Sequence, residues 1–455
     1  MQNKNNTLLE GKVGPALVRF ALPFLVASLL QQLYGTVDLL AVGQLSTNSA
    51  ASISAVSTGA QLTFSITSVL IGLSTGATVL IGQYVGADRK EDIRRTIGTM
   101  FPLFGLFALV ISVLMAVLTG PLVALMQVPA AAVEEARDYL FICALGMIFV
   151  TGYNMVSGIL RGLGDSKTPM VLVIIACILN IIGDLILVGP LQMGAAGAAI
   201  ATVVAQAISF LVSLMVLRRR KDFPFDFKWS SFQLRRDHSI LLLKLGVPVA
   251  FQDFSIGVSF LFITAFINRI GLAQSAAVGV VGRVSCIAMI VSTSFSSAIA
   301  AMSAQNIGAQ QPKRAVSCLR WGIALSLAVS IILFTLIQLF PDQILSLFTK
   351  EADVIAQGTL YMRSYITDAV LVSFVFCING FLSGCGRTTF CMIISTASTY
   401  GVRVLGTLLV SLIPGTTMFH IGMAAPAASL VQIIFQLLYL RFGNWRHNTV
   451  LTQKE

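Results

Sequence analysis

The segment Gly158-Ile-Leu-Arg-Gly-Leu-Gly-Asp-Ser-Lys-Thr-Pro-Met170 returns 222 positions later as Gly380-Phe-Leu-Ser-Gly-Cys-Gly-Arg-Thr-Thr-Phe-Cys-Met392. Other segments recur at nearly the same offset. Gly82-Gln-Tyr-Val-Gly-Ala87 answers to Ala304-Gln-Asn-Ile-Gly-Ala309, and Leu22-Pro23 to Val247-Pro248. Tyr139-Leu140 is echoed by Tyr361-Met362, and Gly194-Ala-Ala-Gly-Ala-Ala by Gly422-Met-Ala-Ala-Pro-Ala. The chain is one apolar unit written twice. A long-period internal repeat decides the architecture before any single element does.

Composition says where that unit lives. Hydrophobic residues make up 56 % of the 455 positions and charged residues 11 %, whereas a soluble domain carries about 25 % charge. The apolar runs reach the length of about 20 residues that a helix needs to cross a hydrocarbon core. Twelve are expected, at 15–40, 50–81, 93–118, 135–160, 169–188, 194–217, 240–268, 274–304, 315–340, 354–381, 390–412 and 418–441. They are too long and too evenly apolar for barrel strands. The expected fold is an all-α integral membrane protein, with twelve transmembrane helices in two parallel, pseudo-symmetric six-helix lobes.

The net charge of +11 does not imply a nucleic-acid partner. About 24 of the basic residues fall in the termini or in loops after even-numbered helices, the positive-inside bias that puts both termini in the cytoplasm. The first apolar run is too long for a cleavable signal and is read as helix one. The seven cysteines form no closely spaced metal-like pair and read as small apolar residues. A cell membrane, of the prokaryotic inner type, is the expected location, and a monomer in the bilayer the expected state.

The polar stretch 218–239, around Phe223-Pro224-Phe225, reads as a cytoplasmic linker between lobes 1–217 and 240–455. Six helices are an even number, so both lobes enter from the same side and the repeats are parallel. No other extramembrane segment can hold a nucleotide-binding domain. Ser166-Lys167-Thr168 lacks the glycine a phosphate loop needs before its lysine. Gly72-Leu-Ser-Thr-Gly76 matches a hydrolase elbow only formally, since no strand precedes it and His238, His420 and His447 are the chain's three histidines. Small residues spaced by four, such as Gly158 and Gly162 or Gly380 and Gly384, suit close helix packing. Pro23 and Pro248 sit at equivalent places in helices one and seven, where a proline kinks or hinges the helix.

Ionisable groups at membrane depth are functional by default. The first lobe has Asp38 on helix one and Asp184 on helix five, with no Lys or Arg inside its span to neutralise them. In the second, Asp253 and Asp368 are accompanied by Arg283 and Arg403, which reads as structural ion pairing. Uncompensated carboxylates must be protonated or hold a cation. Gln31, Tyr34 and Asp38 share one helix face, and Asn180 and Asp184 lie one turn apart. At ~1.5 Å per residue, Asp184 is roughly 22 Å from Pro169 and Thr202 roughly 12 Å from Gly194. Asp38, Asn180, Asp184 and Thr202 can therefore meet in the outer half of one lobe, with oxygens suited to Na+ or a proton relay.

These residues resemble the multidrug and toxic compound extrusion (MATE) family over essentially the whole chain. The resemblance is carried by Arg161-Gly-Leu-Gly-Asp-Ser-Lys-Thr-Pro169, Asn180-Ile-Ile-Gly-Asp184, Gly194-Ala-Ala-Gly-Ala-Ala-Ile-Ala-Thr202, and Pro23 followed by Gln31, Tyr34 and Asp38. It implies an antiporter that expels organic cations and other drugs in exchange for Na+ or H+, without a cofactor. It also implies that Asp38, Asn180, Asp184 and Thr202 form the cation site, with Tyr34, Tyr139 and Asn154 lining the cavity. One branch of the family adds acids on helices seven and ten, and here Asp253 and Asp368 each lie about a turn early. Two other readings stand behind this one. A flippase for a lipid-linked precursor needs a cationic cavity, and a polytopic membrane enzyme needs a catalytic cluster or a soluble catalytic loop.

Overall fold

The computed structural model describes residues 8–46, 49–220 and 223–446. Thr47, the linker's Lys221 and His447 lie outside the described residues. Among the described residues, twelve helical spans are long and apolar enough to cross a membrane: α1 Val13–Leu45, α2 Ser49–Gly86, α3 Lys90–Leu125, α4 Ala130–Gly162, α5 Lys167–Leu187, α6 Gly194–Arg219, α7 Arg236–Asn268, α8 Leu272–Gly308, α9 Pro312–Leu339, α10 Ala352–Gly384, α11 Thr388–Ser411 and α12 Met418–Phe442. Among the described residues there is no strand. Helices follow from the solvent, because lipid offers no partner for a backbone N–H or C=O.

Several spans stop where a left-handed residue closes the last turn. Gly164 (φ +88) and Gly386 (φ +79) do this after α4 and α10. In each case two bonds close the end. Gly164 N–H donates to the Arg161 carbonyl and Asp165 N–H to Leu160; Gly386 N–H donates to Ser383 and Arg387 N–H to Leu382. This is the Schellman pattern, for which glycine carries no Cβ penalty. Asp88 and Gln310, also at positive φ, end α2 and α8 through the matching pairs Asp88→Val85, Arg89→Tyr84 and Gln310→Ile307, Gln311→Asn306. The duplication read from sequence thus persists in individual hydrogen bonds.

The repeated Gly-x-x-x-Gly pairs do one job in both halves. A Cβ on Gly158 would lie 2.5 Å from Ser74 Oγ and one on Gly162 2.8 Å from Ile81, so α4 presses against α2. A Cβ on Gly380 would meet the Ser296 carbonyl and one on Gly384 the Ala300 carbonyl at 2.6 Å, so α10 presses against α8.

The halves differ elsewhere. α10 is interrupted at Ile366, α12 at Met423, and α11 carries a π-helical turn over Thr399–Val404. The corresponding α5 is regular throughout.

Two compact units result: Val26–Gly246, and Met1–Leu25 together with Val247–Glu455. These cuts are not the lobe boundaries expected at 217/218 and 239/240. They fall inside α1 and α7, two residues after Pro23 and one before Pro248. Packing gives the reason. The start of α7 belongs with the first half: a Cβ on Gly76 would lie 2.5 Å from Gly246 Cα, and buried His238 has Nδ1 2.9 Å from Thr96 Oγ1 and Nε2 3.8 Å from Asp92. The start of α1 belongs with the second half, where Leu17, Phe20 and Phe24 share a core with Met302 and Phe381. Arg314 holds the residues before α1 by donating to the carbonyls of Leu8, Glu10 and Gly11.

Candidate functional site

Within the unit Val26–Gly246, α1, α5 and α6 bring together the residues expected to meet. Asp38 comes from α1, Asn180 and Asp184 from successive turns of α5, and Thr202 from α6. Asp184 is completely buried, and Asp38 and Asn180 nearly so. Asn180 Nδ2 donates to Thr202 Oγ1 at 3.2 Å. The Asp38 carboxyl neighbours both Asp184 and Asn180. No arginine or lysine makes an ion pair with either acid among the described residues.

The oxygens facing one another are short of donors. Asp38 Oδ1, both Asp184 carboxyl oxygens and Asn180 Oδ1 are buried without a hydrogen-bond partner. An unmade hydrogen bond to a buried acceptor costs about 1–3 kcal/mol, more for a charged group. Two things relieve such a cluster: a proton shared between the carboxyls, or a monovalent cation bound by the carboxyl, amide and hydroxyl oxygens. The donor set fits either.

Beside the cluster is a small pocket lined by Tyr34, Ala176, Asn180, Thr202, Ala205 and Gln206, far too small for a drug-sized ligand. Asn180 and Thr202 belong to both the pocket and the cluster. Gln206 was not singled out in the sequence, although it follows Thr202 by one helical turn on the same face of α6. Gln31, three residues before Tyr34 on α1, is exposed.

Tyr139 and Asn154 are not among the residues lining this pocket. Tyr139 is buried in an apolar cluster with Val42, Ala55 and Met147, its ring against Gly59. Asn154 Nδ2 donates back to the Val150 carbonyl at 2.8 Å. Its own carbonyl accepts from Ser74 Oγ at 2.6 Å, and that hydroxyl in turn accepts from Arg161 at 2.8 Å.

In the other unit the expected ion pairs of Asp253 and Asp368 with Arg283 and Arg403 are absent among the described residues. Asp368 Oδ1 instead accepts from Ser429 Oγ at 2.5 Å. Arg403 donates to the Tyr365 hydroxyl at 2.8 Å and lies over the Phe260 ring, 4.2 Å from its centre. Arg283 is exposed and Asp253 half-buried. Asp368 and Arg403 are close enough to interact, but each is bonded to a nearer neutral hydroxyl.

Fold and site together define a multi-pass membrane protein built by internal duplication, with a buried acidic cluster in one half. The MatE family model matches residues 23–186 and again 248–409, one block per repeat. The chain is 30 % identical over 435 residues to the probable multidrug resistance protein YoeA of Bacillus subtilis, covering 93 % of this chain and 92 % of that one. To the probable multidrug resistance protein YpnP of the same organism it is 28 % identical over 449 residues, covering 98 % of each. A solved outward-facing structure of a multidrug resistance MATE family transporter has the same fold, with a TM-score of 0.89 at 22 % identity over 97 % of this chain and 98 % of that one. The protein belongs to the MatE family.

Proposed function

We propose that the protein is a secondary active antiporter that exports organic, mostly cationic and amphipathic compounds in exchange for Na+ or H+. The observation that carries this reading is the buried cluster of Asp38, Asn180, Asp184 and Thr202, whose unpartnered oxygens need a proton or a small cation. Family membership and the names of its relatives support the substrate class.

The coupling follows from charge. An ion or proton arriving at Asp38 and Asp184 removes charge that is costly to bury, and so favours a different set of conformations from the empty site. A drug that favours the opposite set is driven out by the ion gradient, a coupling that must be reciprocal. Pro23 and Pro248 are the proposed hinges, since the compact units meet the chain there, inside α1 and α7. Gln31, Tyr34, Tyr139 and Asn154 are the proposed cavity residues. Asp253 and Asp368 are proposed as secondary charged sites.

The protein is proposed to act as a monomer in the cell membrane, with both termini and the 218–239 linker cytoplasmic, and to need no cofactor. The test is efflux of a cationic dye from vesicles containing the purified protein, with Na+ and pH gradients imposed separately. Efflux driven by one of the two identifies the coupling ion; efflux indifferent to both contradicts the reading.

A further inference from the structure

The stretch of α11 that corresponds to the acidic stretch of α5 carries a base. At the offset of 222 that relates Gly158 to Gly380, Arg403 of α11 falls at Ile181 of α5, between Asn180 and Asp184. No other arginine or lysine lies within α11. The backbone is special at this point too: Arg403 belongs to the π-helical turn Thr399–Val404, whereas α5 is regular. Such turns are costly and concentrate at functional sites. From the Thr388 end Arg403 is roughly 22 Å along the helix, at membrane depth, where a fixed charge calls for a use.

Its partners leave capacity to spare. One Nη2 bond goes to the Tyr365 hydroxyl, while Nε is buried without a partner. No carboxylate comes within 4.0 Å among the described residues. Asp368 is near enough to feel the charge, yet its Oδ1 is engaged by Ser429. Two aromatic rings flank the guanidinium: Phe260 lies beneath it at 4.2 Å and Tyr365 stands 5.9 Å away. A planar fork of donors set among aromatic rings is suited to a carboxylate attached to an aromatic body.

We propose that Arg403, lying over Phe260 and beside Tyr365, is a binding site for the carboxylate of aromatic substrates. The proposal rests on the efflux reading for the word substrate, while the site itself can be tested by binding alone. Tetramethylrhodamine and its methyl ester form a matched pair of probes, differing only in whether the carboxylate is free.

With purified protein in detergent, fluorescence anisotropy should show wild type binding the free acid. R403Q should weaken the acid about tenfold relative to the ester, the size expected for losing a charge-assisted hydrogen bond. D368N should leave the acid bound at least as well. Y365F, which frees Nη2, should tighten the acid; this variant and R403K decide the matter if R403Q does not fold, since an unchanged acid-to-ester ratio in both overturns the site. Equal loss of both dyes in R403Q makes Arg403 structural, and absence of acid binding by wild type removes the site outright. An equal loss seen only in vesicles containing phosphatidylglycerol assigns Arg403 to a lipid headgroup, which also overturns the proposal. If wild type binds both dyes but no gradient drives either from vesicles, the efflux reading fails while the Arg403 site stands.

Discussion

The single residue that most sharply separates this protein from an inert helical bundle is Asp184. It is fully buried, with both carboxyl oxygens unpartnered, and an apolar side chain of similar size would fold more readily there. D184N and D38N should each give a folded protein, judged by an unchanged melting temperature in detergent, that no longer couples efflux to a gradient. Thr202 offers a hydroxyl oxygen that is useful mainly to a metal ion. T202V should therefore reduce Na+-driven efflux several-fold and H+-driven efflux much less, in line with a loss of about 1 kcal/mol for one neutral ligand; equal losses would remove Thr202 from ion binding. These residues were legible in the sequence because helical rise fixes depth and the i, i+4 spacing fixes the face. Gln206 was missed for want of charge, and only its place one turn beyond Thr202 would have shown it. The pairing expected of Asp368 and Arg403 gives way to nearer hydroxyl partners, which charge placement along the sequence does not reveal. Ser429 and Tyr365 take those places.

At the scale of elements, the repeated glycines hold α4 on α2 and α10 on α8. G380A would drive a Cβ into the Ser296 carbonyl, a backbone atom that cannot step aside, and should lower stability by about 1–3 kcal/mol. G105A, whose Cβ meets nothing within 4 Å, is the matched control and should melt with wild type. The cytoplasm-assigned linker is fastened to α3 by ring contacts of Phe101 with Phe225 and Phe232 and by Arg94 to Asp226 at 2.9 Å. Donation from Ser231, and then the charges of Arg94 and Lys228, hold the Asp226 carboxyl below the usual carboxylate range. Its contribution is present above the ordinary carboxylate pKa and is lost as pH falls through the lowered value. Amide protection across residues 223–232, measured against the intrinsic exchange rate at each pH, should accordingly fall at acid pH, and D226N should lower it already at neutral pH. Prolines 23 and 248 lie beside the cuts between the compact units. P23A restores a backbone donor and should leave a stable protein with slower efflux; an unchanged rate would reduce Pro23 to a static kink.

For the whole molecule, twelve helices in two repeats could be read directly, because lipid forces helices of one minimum length and duplication repeats their landmarks. The compact units could not. Chain order suggests six helices and six, whereas the starts of α1 and α7 pack with the opposite halves, and that exchange depends on contacts such as Gly76 with Gly246. Sidedness remains a matter of charge placement: a thiol-reactive reagent applied from outside should reach a cysteine at Gly415 and miss one at Asp226. Antiport is the property that every smaller claim serves, and it is measured most directly by gradient-driven efflux of a cationic dye from vesicles carrying the D38N/D184N double variant beside wild type. The account predicts that wild type expels dye when the coupling gradient is imposed, and that the double variant, equally folded and still binding dye, does not. Full gradient-driven efflux by the double variant would contradict it.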